Sequence, residues 1–201
     1  MDIAEIAGQL EHVGYIVLEN PLVDELLAGL FTRCHNDEQS RFKAAHIGRG
    51  TDKKRIHSIR GDVINWLDAD NTTDQIYLSR MEELRLGLNA ALYLGLFDYE
   101  CHYAIYESGN GYARHLDVLE GKKNRILTTV LYLNDDWQAG NGGELVIFEP
   151  TGNKIIATVN PTFGKMIIFL SEYFPHEVLT SHTTRRSIAG WFRVSGSHLA
   201  G

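Results

Sequence analysis

The sequence predicts an α+β fold in which helices come first and a β-rich core follows. Up to about residue 98, the apolar residues recur mainly at helical spacing. From about residue 99, eight short apolar or alternating runs follow one another with turn-forming residues between them. Such strands are typical of a sandwich or barrel, with a jelly-roll double-stranded β-helix among the options, and the helices would buttress that core.

Three helices and one short strand are expected in the first half. The apolar periodicity predicts helices at 2–14, 20–45 and 72–95, and a strand at 15–18. Asn20 is expected to cap the second helix, with Pro21 at its first helical position, because proline needs no hydrogen-bond acceptor there. Gly95 is expected to end the third helix.

The second half is expected to consist of strands. They are predicted at 99–107, 112–117, 126–134, 143–150, 154–159, 165–170, 176–180 and 185–194. The chain has 201 residues, of which 44% are hydrophobic, which is enough to bury one core. Because no Pro- or Ser-rich linker divides it, residues 1–201 are expected to form a single domain, with a helical buttress at about 1–98 and a β core at about 99–195.

The composition limits the cellular compartment and the kinds of partner that we expect. The two cysteines, Cys34 and Cys101, are too few for a disulfide framework and suit a reducing cytoplasm. No signal peptide and no membrane-spanning run are expected. The net charge of −7 makes nucleic acid an unlikely partner. Residues 41–60 are locally basic, and they are interpreted either as a solvated loop or as a mobile flap over an acidic or backbone-rich partner.

The spacing His-x-Asp occurs twice, and local structure separates the two copies. His35 and Asp37 fall in a helical pattern, where residues two apart do not share a face, so an exposed or capping role is expected. His115 and Asp117 fall at a strand edge, where residues i and i+2 lie on the same face. The second pair can therefore present an imidazole and a carboxylate to one metal ion.

A metal site needs a third ligand. The β-rich half offers His102, His176 and His182, with His198 in the terminal tail. His176 begins a predicted strand, and two histidines with one carboxylate form the facial triad of non-haem Fe(II) oxygenases, which leaves coordination positions open. An ordinary strand histidine is the alternative interpretation of His176.

Arg185 follows His176 by nine residues and opens the last predicted strand. A guanidinium is planar, always charged and bidentate, so it suits the distal carboxylate of a co-substrate whose other end binds a metal. Strand alternation places Arg185 with Ala189 and Trp191 on one face and Arg186 on the other. If the first face points inward, Arg185 enters the barrel; a surface charge is the alternative.

Together these residues resemble the Fe(II)/2-oxoglutarate-dependent dioxygenases. The branch that they resemble most is that of the prolyl 4-hydroxylases of the hypoxia-inducible-factor type and their bacterial relatives. The stretches that carry the resemblance are IRGDVINW (59–66), YESGNGYARHLD (106–117), RILTTVLYLNDDW (125–137), GGELVIF (142–148) and FPHEVLTSHTTRRSIAGWF (174–192).

The resemblance implies a role for each matching residue. His115, Asp117 and His176 would bind Fe(II), and Arg185 would hold the distal carboxylate of 2-oxoglutarate with a hydrogen bond from Tyr132. The implied reaction uses O2, yields succinate and CO2, and hydroxylates a prolyl residue of a protein, with ascorbate as a reductant. A translation elongation factor is a plausible substrate by analogy with bacterial relatives.

The resemblance also implies residues around the site. Tyr106 would line the co-substrate pocket, Trp191 would pack beside the active site, and Arg125 and Arg60 would border the substrate mouth. Residues 41–60 would match a flexible loop that closes over the peptide. One departure lies within the pocket: Ala189 stands where a threonine is usual, which removes a possible hydrogen bond.

Several alternatives remain open at this point. A nucleic-acid demethylase of the same superfamily would need an arginine six residues after Arg185, where Trp191 stands. A hydroxylase of another protein residue or of a free amino acid fits the same ligands. So does a non-catalytic module that senses iron or oxygen. A zinc hydrolase is a further option for two histidines and a carboxylate.

Overall fold

The computed structural model of the chain describes residues 1–36, 42–44, 60–118 and 124–195. The helices are α1 (Ile3–His12), α2 (Asp24–Asn36) and α3 (Thr72–Leu92). The strands are β1 (Tyr15–Leu18), β2 (Lys43–Ala44), β3 (Asp62–Trp66), β4 (Asp98–Tyr106), β5 (Tyr112–His115), β6 (Arg125–Tyr132), β7 (Leu145–Phe148), β8 (Ile155–Val159), β9 (Met166–Leu170), β10 (His176–Val178) and β11 (Arg185–Arg193).

Two of the helices start at side-chain caps. The carboxylate of Asp2 accepts from the backbone N–H groups of the first turn of α1, and the side chain of Asn71 does the same for α3. The helix α3 ends at Leu92, and the next residue, Tyr93, has a left-handed backbone with φ of 55°, so the prediction that Gly95 ends this helix is wrong. Helices often end in this way because a left-handed residue turns the chain away from the helix axis.

The predicted bounds of the second helix, 20–45, are wrong at both ends, since Lys43–Ala44 form the strand β2. Asn20 has φ of 48° and lies outside the helix, and α2 begins only at Asp24. The intervening turn buries Leu22, which is 7% exposed. Burial of this apolar side chain outweighs the local preference of Asn20 and Pro21 for a helix start.

The strands form two antiparallel sheets. The larger sheet has seven strands in the order β1-β9-β6-β11-β4-β3-β2, and the smaller has four in the order β5-β10-β7-β8. From β4 to β11, successive strands alternate between the two sheets, except that β7 and β8 pair within the smaller one. This arrangement confirms the predicted jelly-roll double-stranded β-helix. The strands β2 and β3 were not expected from the periodicity.

The larger sheet is covered on both faces, which gives two apolar cores. On one face it packs against the helices, through residues such as Leu27, Met81, Leu84, Leu131, Ile188 and Phe192. On the other face it packs against the smaller sheet, through Ala104, Val130, Leu145, Ile147, Ile167 and Phe169. The candidate site lies in this second layer, between the sheets. In the described part of the chain, no helix combines the length and the apolar character needed to cross a membrane.

Candidate functional site

His115, Asp117 and His176 meet between the two sheets. His115 ends β5, and His176 starts β10 directly opposite it in the antiparallel register. Asp117 lies just beyond the end of β5, so the predicted strand at 112–117 is two residues too long, and Asp117 reaches the cluster from the segment after the strand. The Nε2 atoms of His115 and His176 lie 3.6 and 3.5 Å from the two carboxylate oxygens of Asp117, and one ligand atom from each residue falls within 4.8 Å of the others.

Backbone carbonyl groups set the tautomer of both imidazoles. Nδ1 of His115 lies 2.8 Å from the carbonyl oxygen of Ala113, and Nδ1 of His176 lies 3.0 Å from that of Phe174. A carbonyl can only accept, so each Nδ1 carries a proton, and in the neutral form of each ring Nε2 presents the lone pair. This is the second hydrogen bond that metal-binding histidines usually make.

The charge state of the cluster also suits a metal. Burial alone would raise the pKa of Asp117, but His176 and His115 hold it well below its usual range. Burial and the neighbouring His115 lower the pKa of His176 to about 4. At neutral pH, the cluster therefore offers one carboxylate and an unprotonated imidazole of His176, and a set of two nitrogen donors and one oxygen donor fits Fe(II).

Arg185 is buried at 2% exposure, against Tyr106 and Tyr132 of the apolar layer between the two sheets. Its Nε donates to the carbonyl oxygen of Gly143 at 2.7 Å, and its Nη1 donates to the hydroxyl of Ser187 at 3.1 Å. The strand alternation predicted for β11 is confirmed, since Arg185, Ser187 and Trp191 are buried on the site face while Ile188 is buried on the helix face. The guanidinium therefore points between the sheets.

Tyr132 and Tyr106 flank this guanidinium. The Cζ atom of Arg185 lies 5.1 Å from the ring centre of Tyr132 and 5.2 Å from that of Tyr106. The Tyr132 hydroxyl is buried and has no hydrogen-bond partner among the residues that the structure describes. Burial raises its pKa to about 12, despite the nearby cation of Arg185. A buried hydroxyl without a partner, next to a cation, fits a carboxylate ligand such as one end of 2-oxoglutarate.

Trp191 and Arg125 form one wall of the site. The Cζ atom of Arg125 lies 3.7 Å from the ring centre of Trp191, which is a close cation–π contact. Glu100 holds Arg125 with an ion pair of 2.8 Å and also binds Arg193 at 2.6 Å. The Trp191 indole N–H forms no hydrogen bond within the described residues, although its proximity helps to lower the pKa of Asp117.

The ring of Tyr112 lies between Arg60 and His115. The Arg60 guanidinium binds Asp62 through two hydrogen bonds of 2.7 and 3.0 Å and lies 5.0 Å from the ring centre of Tyr112. Tyr112 in turn stacks on His115 with 3.5 Å between ring centres. Arg60 thus packs against the aromatic ring that stacks on His115. Residues 45–59, which carry most of the basic segment, lie outside the described residues.

Two other histidines, His35 and His102, lie outside the cluster of His115, Asp117 and His176. His35 lies on α2, where its Nδ1 is 3.0 Å from the carbonyl oxygen of Phe31, and Asp37 lies outside the described residues. His102, which the sequence offered as a possible third ligand, is not one of the three clustered residues. It is 2% exposed and pairs with Ala189 across β4 and β11, and its ring centre lies 5.4 Å from that of Trp191.

Comparison with known proteins identifies relatives of this arrangement. Residues 101–193 match the model of the 2OG-Fe(II) oxygenase superfamily. Egl nine homolog 1 of Homo sapiens is 33% identical over 143 residues, which are 67% of this chain and 33% of the relative. Prolyl hydroxylase EGLN3 of Mus musculus is 34% identical over 142 residues, which are 67% of this chain and 59% of the relative. The chain thus spans 33% and 59% of the lengths of these curated relatives.

Solved structures extend the similarity to the whole fold. A prolyl-4-hydroxylase of Pseudomonas putida superposes with a TM-score of 0.86 at 35% identity, covering 96% of this chain and 100% of that chain. A prolyl hydroxylase from Trichoplax adhaerens, in complex with a hypoxia inducible factor oxygen degradation domain peptide fragment, superposes with a TM-score of 0.83 at 25% identity, covering 95% of this chain and 88% of that chain.

Proposed function

This chain belongs to the 2OG-Fe(II) oxygenase superfamily, and on that basis we propose that it is a prolyl 4-hydroxylase that modifies a proline residue of a protein substrate. The observation that carries the proposal is the cluster of His115, Asp117 and His176, together with the buried guanidinium of Arg185 between the same two sheets. The structural relatives named as prolyl hydroxylases support the choice of proline and, in the bacterial case, of its 4-position.

In this proposal, His115, Asp117 and His176 hold Fe(II). When bound, Fe(II) with 2-oxoglutarate and O2 supplies the oxidising chemistry, with succinate and CO2 as co-products. The two carbonyl-bound Nδ1–H groups select the neutral tautomer in which Nε2 carries the lone pair that would bind the ion. Arg185 binds the distal carboxylate of 2-oxoglutarate, and the unpaired hydroxyl of Tyr132 donates to the same carboxylate. Each polar group then gains a partner within a water-poor layer.

The remaining residues shape the pocket and its entrance. Tyr106 lines the co-substrate side, and Trp191 packs beside the active site under the guanidinium of Arg125. Arg125 is held over Trp191 and borders the substrate mouth. Arg60 borders it as well, but its guanidinium is committed to Asp62, so we assign it to bracing this edge.

The substrate that we propose is a protein, with a translation elongation factor as the first candidate. The Trichoplax relative, whose complex contains a peptide, supports a peptide segment as the ligand. We also propose that residues 1–201 act as one catalytic unit in the cytoplasm, with the helices about 1–98 as a buttress for the core about 99–195. The chain has only two cysteines, and both are buried, which is consistent with a reducing compartment.

Mass spectrometry of a candidate substrate tests the proposal. Elongation-factor peptides would be incubated with the protein, Fe(II), 2-oxoglutarate, O2 and ascorbate, and succinate would be measured in the same samples. We expect one added oxygen on a proline, and no addition with His115→Ala or Asp117→Ala. Oxygen added only to Lys or Asn would contradict the choice of proline, and absence of succinate with every protein, peptide and amino acid tried would contradict the enzyme itself.

A further inference from the structure

Two buried hydroxyl groups lie behind the candidate metal centre. Thr128 on β6 is 2% exposed, and Ser171, which follows β9, is fully buried. Oγ1 of Thr128 lies 2.7 Å from Oδ2 of Asp117, and the hydroxyl oxygens of Thr128 and Ser171 lie 2.8 Å apart. A chain of short hydrogen bonds therefore runs from Ser171 through Thr128 to Asp117.

The direction of this chain follows from its end. An ionised carboxylate can only accept, so the single hydroxyl proton of Thr128 is donated to Asp117. The Thr128 oxygen is then free to accept, and the Ser171 hydroxyl must supply the proton between the two oxygens. The backbone N–H of Ser171 donates to the carbonyl oxygen of Ile126 at 3.0 Å, which ties this residue to the same region.

Asp117 depends on this support because its own strand has ended. The residue follows β5 in the smaller sheet, whereas Thr128 belongs to a central strand of the larger sheet. The distances of 3.6 and 3.5 Å to His115 and His176 exceed those of a charge-assisted hydrogen bond. Among the described side chains, the Thr128 hydroxyl therefore makes the short contact that fixes the carboxylate.

We infer that Thr128 is a positioning residue for the metal centre, supported by Ser171. Its hydroxyl engages Oδ2 of Asp117 and so holds the carboxylate in the orientation that faces both imidazoles. Without this hydrogen bond, the carboxylate can rotate, and one of its buried oxygens loses its partner. This inference rests on the proposed function, because it assumes that Asp117 is a metal ligand.

Metal binding by the protein without co-substrate tests the inference. The probe is Mn(II), titrated calorimetrically into metal-free protein under argon. Thr128→Val preserves the shape of the side chain but removes the hydroxyl, and we expect about 10- to 100-fold weaker binding, as is usual when a partner of a metal ligand is lost. Thr128→Ser keeps the hydroxyl and should bind Mn(II) within about threefold of the original protein.

The neighbouring threonine provides a matched control. Thr129 is also fully buried on β6, but its hydroxyl faces the helices and lies 2.7 Å from that of Tyr99. Thr129→Val therefore loses a buried hydrogen bond without touching the site. It should lower the thermal midpoint of unfolding but leave Mn(II) affinity unchanged.

The outcomes separate the inference from the proposed function. Equal Mn(II) affinity of Thr128→Val and the original protein would overturn the positioning role and leave the proposed function intact. If the original protein binds neither Mn(II) nor Fe(II), the proposed function fails, and this inference fails with it. Should Thr128→Val not fold, Ser171→Ala decides, because it must weaken Mn(II) binding if the hydroxyl chain orients Asp117, and unchanged affinity would refute that role.

Discussion

His102 makes the stability of the protein depend on pH in a way that can be measured. The imidazole is buried on β4, with ring centres 5.2 Å from Trp66 and 5.4 Å from Trp191. Burial lowers its pKa from the ordinary 6.5 to about 4, with help from the cations of Arg60 and Arg125 and against the opposing charge of Asp62. The folded protein thus holds this histidine neutral.

The sign and size of the effect follow from proton linkage. Because the folded pKa is the lower one, the unfolded chain binds the proton first as the pH falls, and stability is lost between about pH 6.5 and 4. At pH 7.5 the contribution is close to zero. At pH 4.5, the unfolded state is almost fully protonated while about a quarter of the folded state is, which amounts to a loss of about 2.5 kcal/mol.

Urea unfolding of metal-free protein at several pH values is the assay. His102→Leu and His102→Asn do not titrate at this position, so the free energy of unfolding of either variant, relative to that of the original protein, should rise by about 2.5 kcal/mol from pH 7.5 to 4.5. Other titrating groups, such as His176, cancel in this difference. The two variants differ in packing but should show the same pH slope. If the difference in free energy of unfolding between variant and original protein does not change from pH 7.5 to 4.5, the assignment of a neutral buried imidazole is refuted.

Three further substitutions test the packing and the co-substrate site. Gly190→Ala would place its Cβ against the hydroxyl of Tyr99, and urea titration should show a loss of about 1–3 kcal/mol; an unchanged midpoint would contradict the close packing. Tyr103→Phe removes a 2.7 Å hydrogen bond to the buried carboxylate of Asp74 and should cost about 1.5–3 kcal/mol in the same assay. Arg185→Lys keeps the charge but loses the planar fork, so the KM for 2-oxoglutarate should rise about 10- to 100-fold, and an equal KM would remove this residue from the co-substrate site.

The sequence predicts which way a side chain points where alternation within one strand determines it. The alternation along residues 185–194 placed Arg185 and Trp191 on one face, and the structure agrees. The helical periodicity near 2–14 and 72–95 also predicted the helices α1 and α3. In each case a side-chain cap lies next to the first turn. The second helix failed at its start, since burial of Leu22 is a tertiary effect that no local pattern reports.

Contacts between strands that lie far apart in the sequence cannot be predicted from alternation within one strand. Alternation shows that Thr128 and Thr129 face opposite sides of β6, but it does not say which of them faces Asp117. That choice depends on the pairing of β6 with β9 and β11, which comes from segments far along the chain. The ion pair of Arg125 with Glu100 is missed for the same reason.

The register of the central sheet therefore links the helices to the chemistry of the site. Trp191 pairs with Thr128 across β11 and β6, while their neighbours Phe192 and Leu127 pair on the opposite face and are fully buried against the helical layer. A slip of one residue would expose these apolar side chains to the site and turn Thr128 away from Asp117. The apolar contacts of the helices thus hold the strand register, and through it they hold the carboxylate that we propose as a metal ligand.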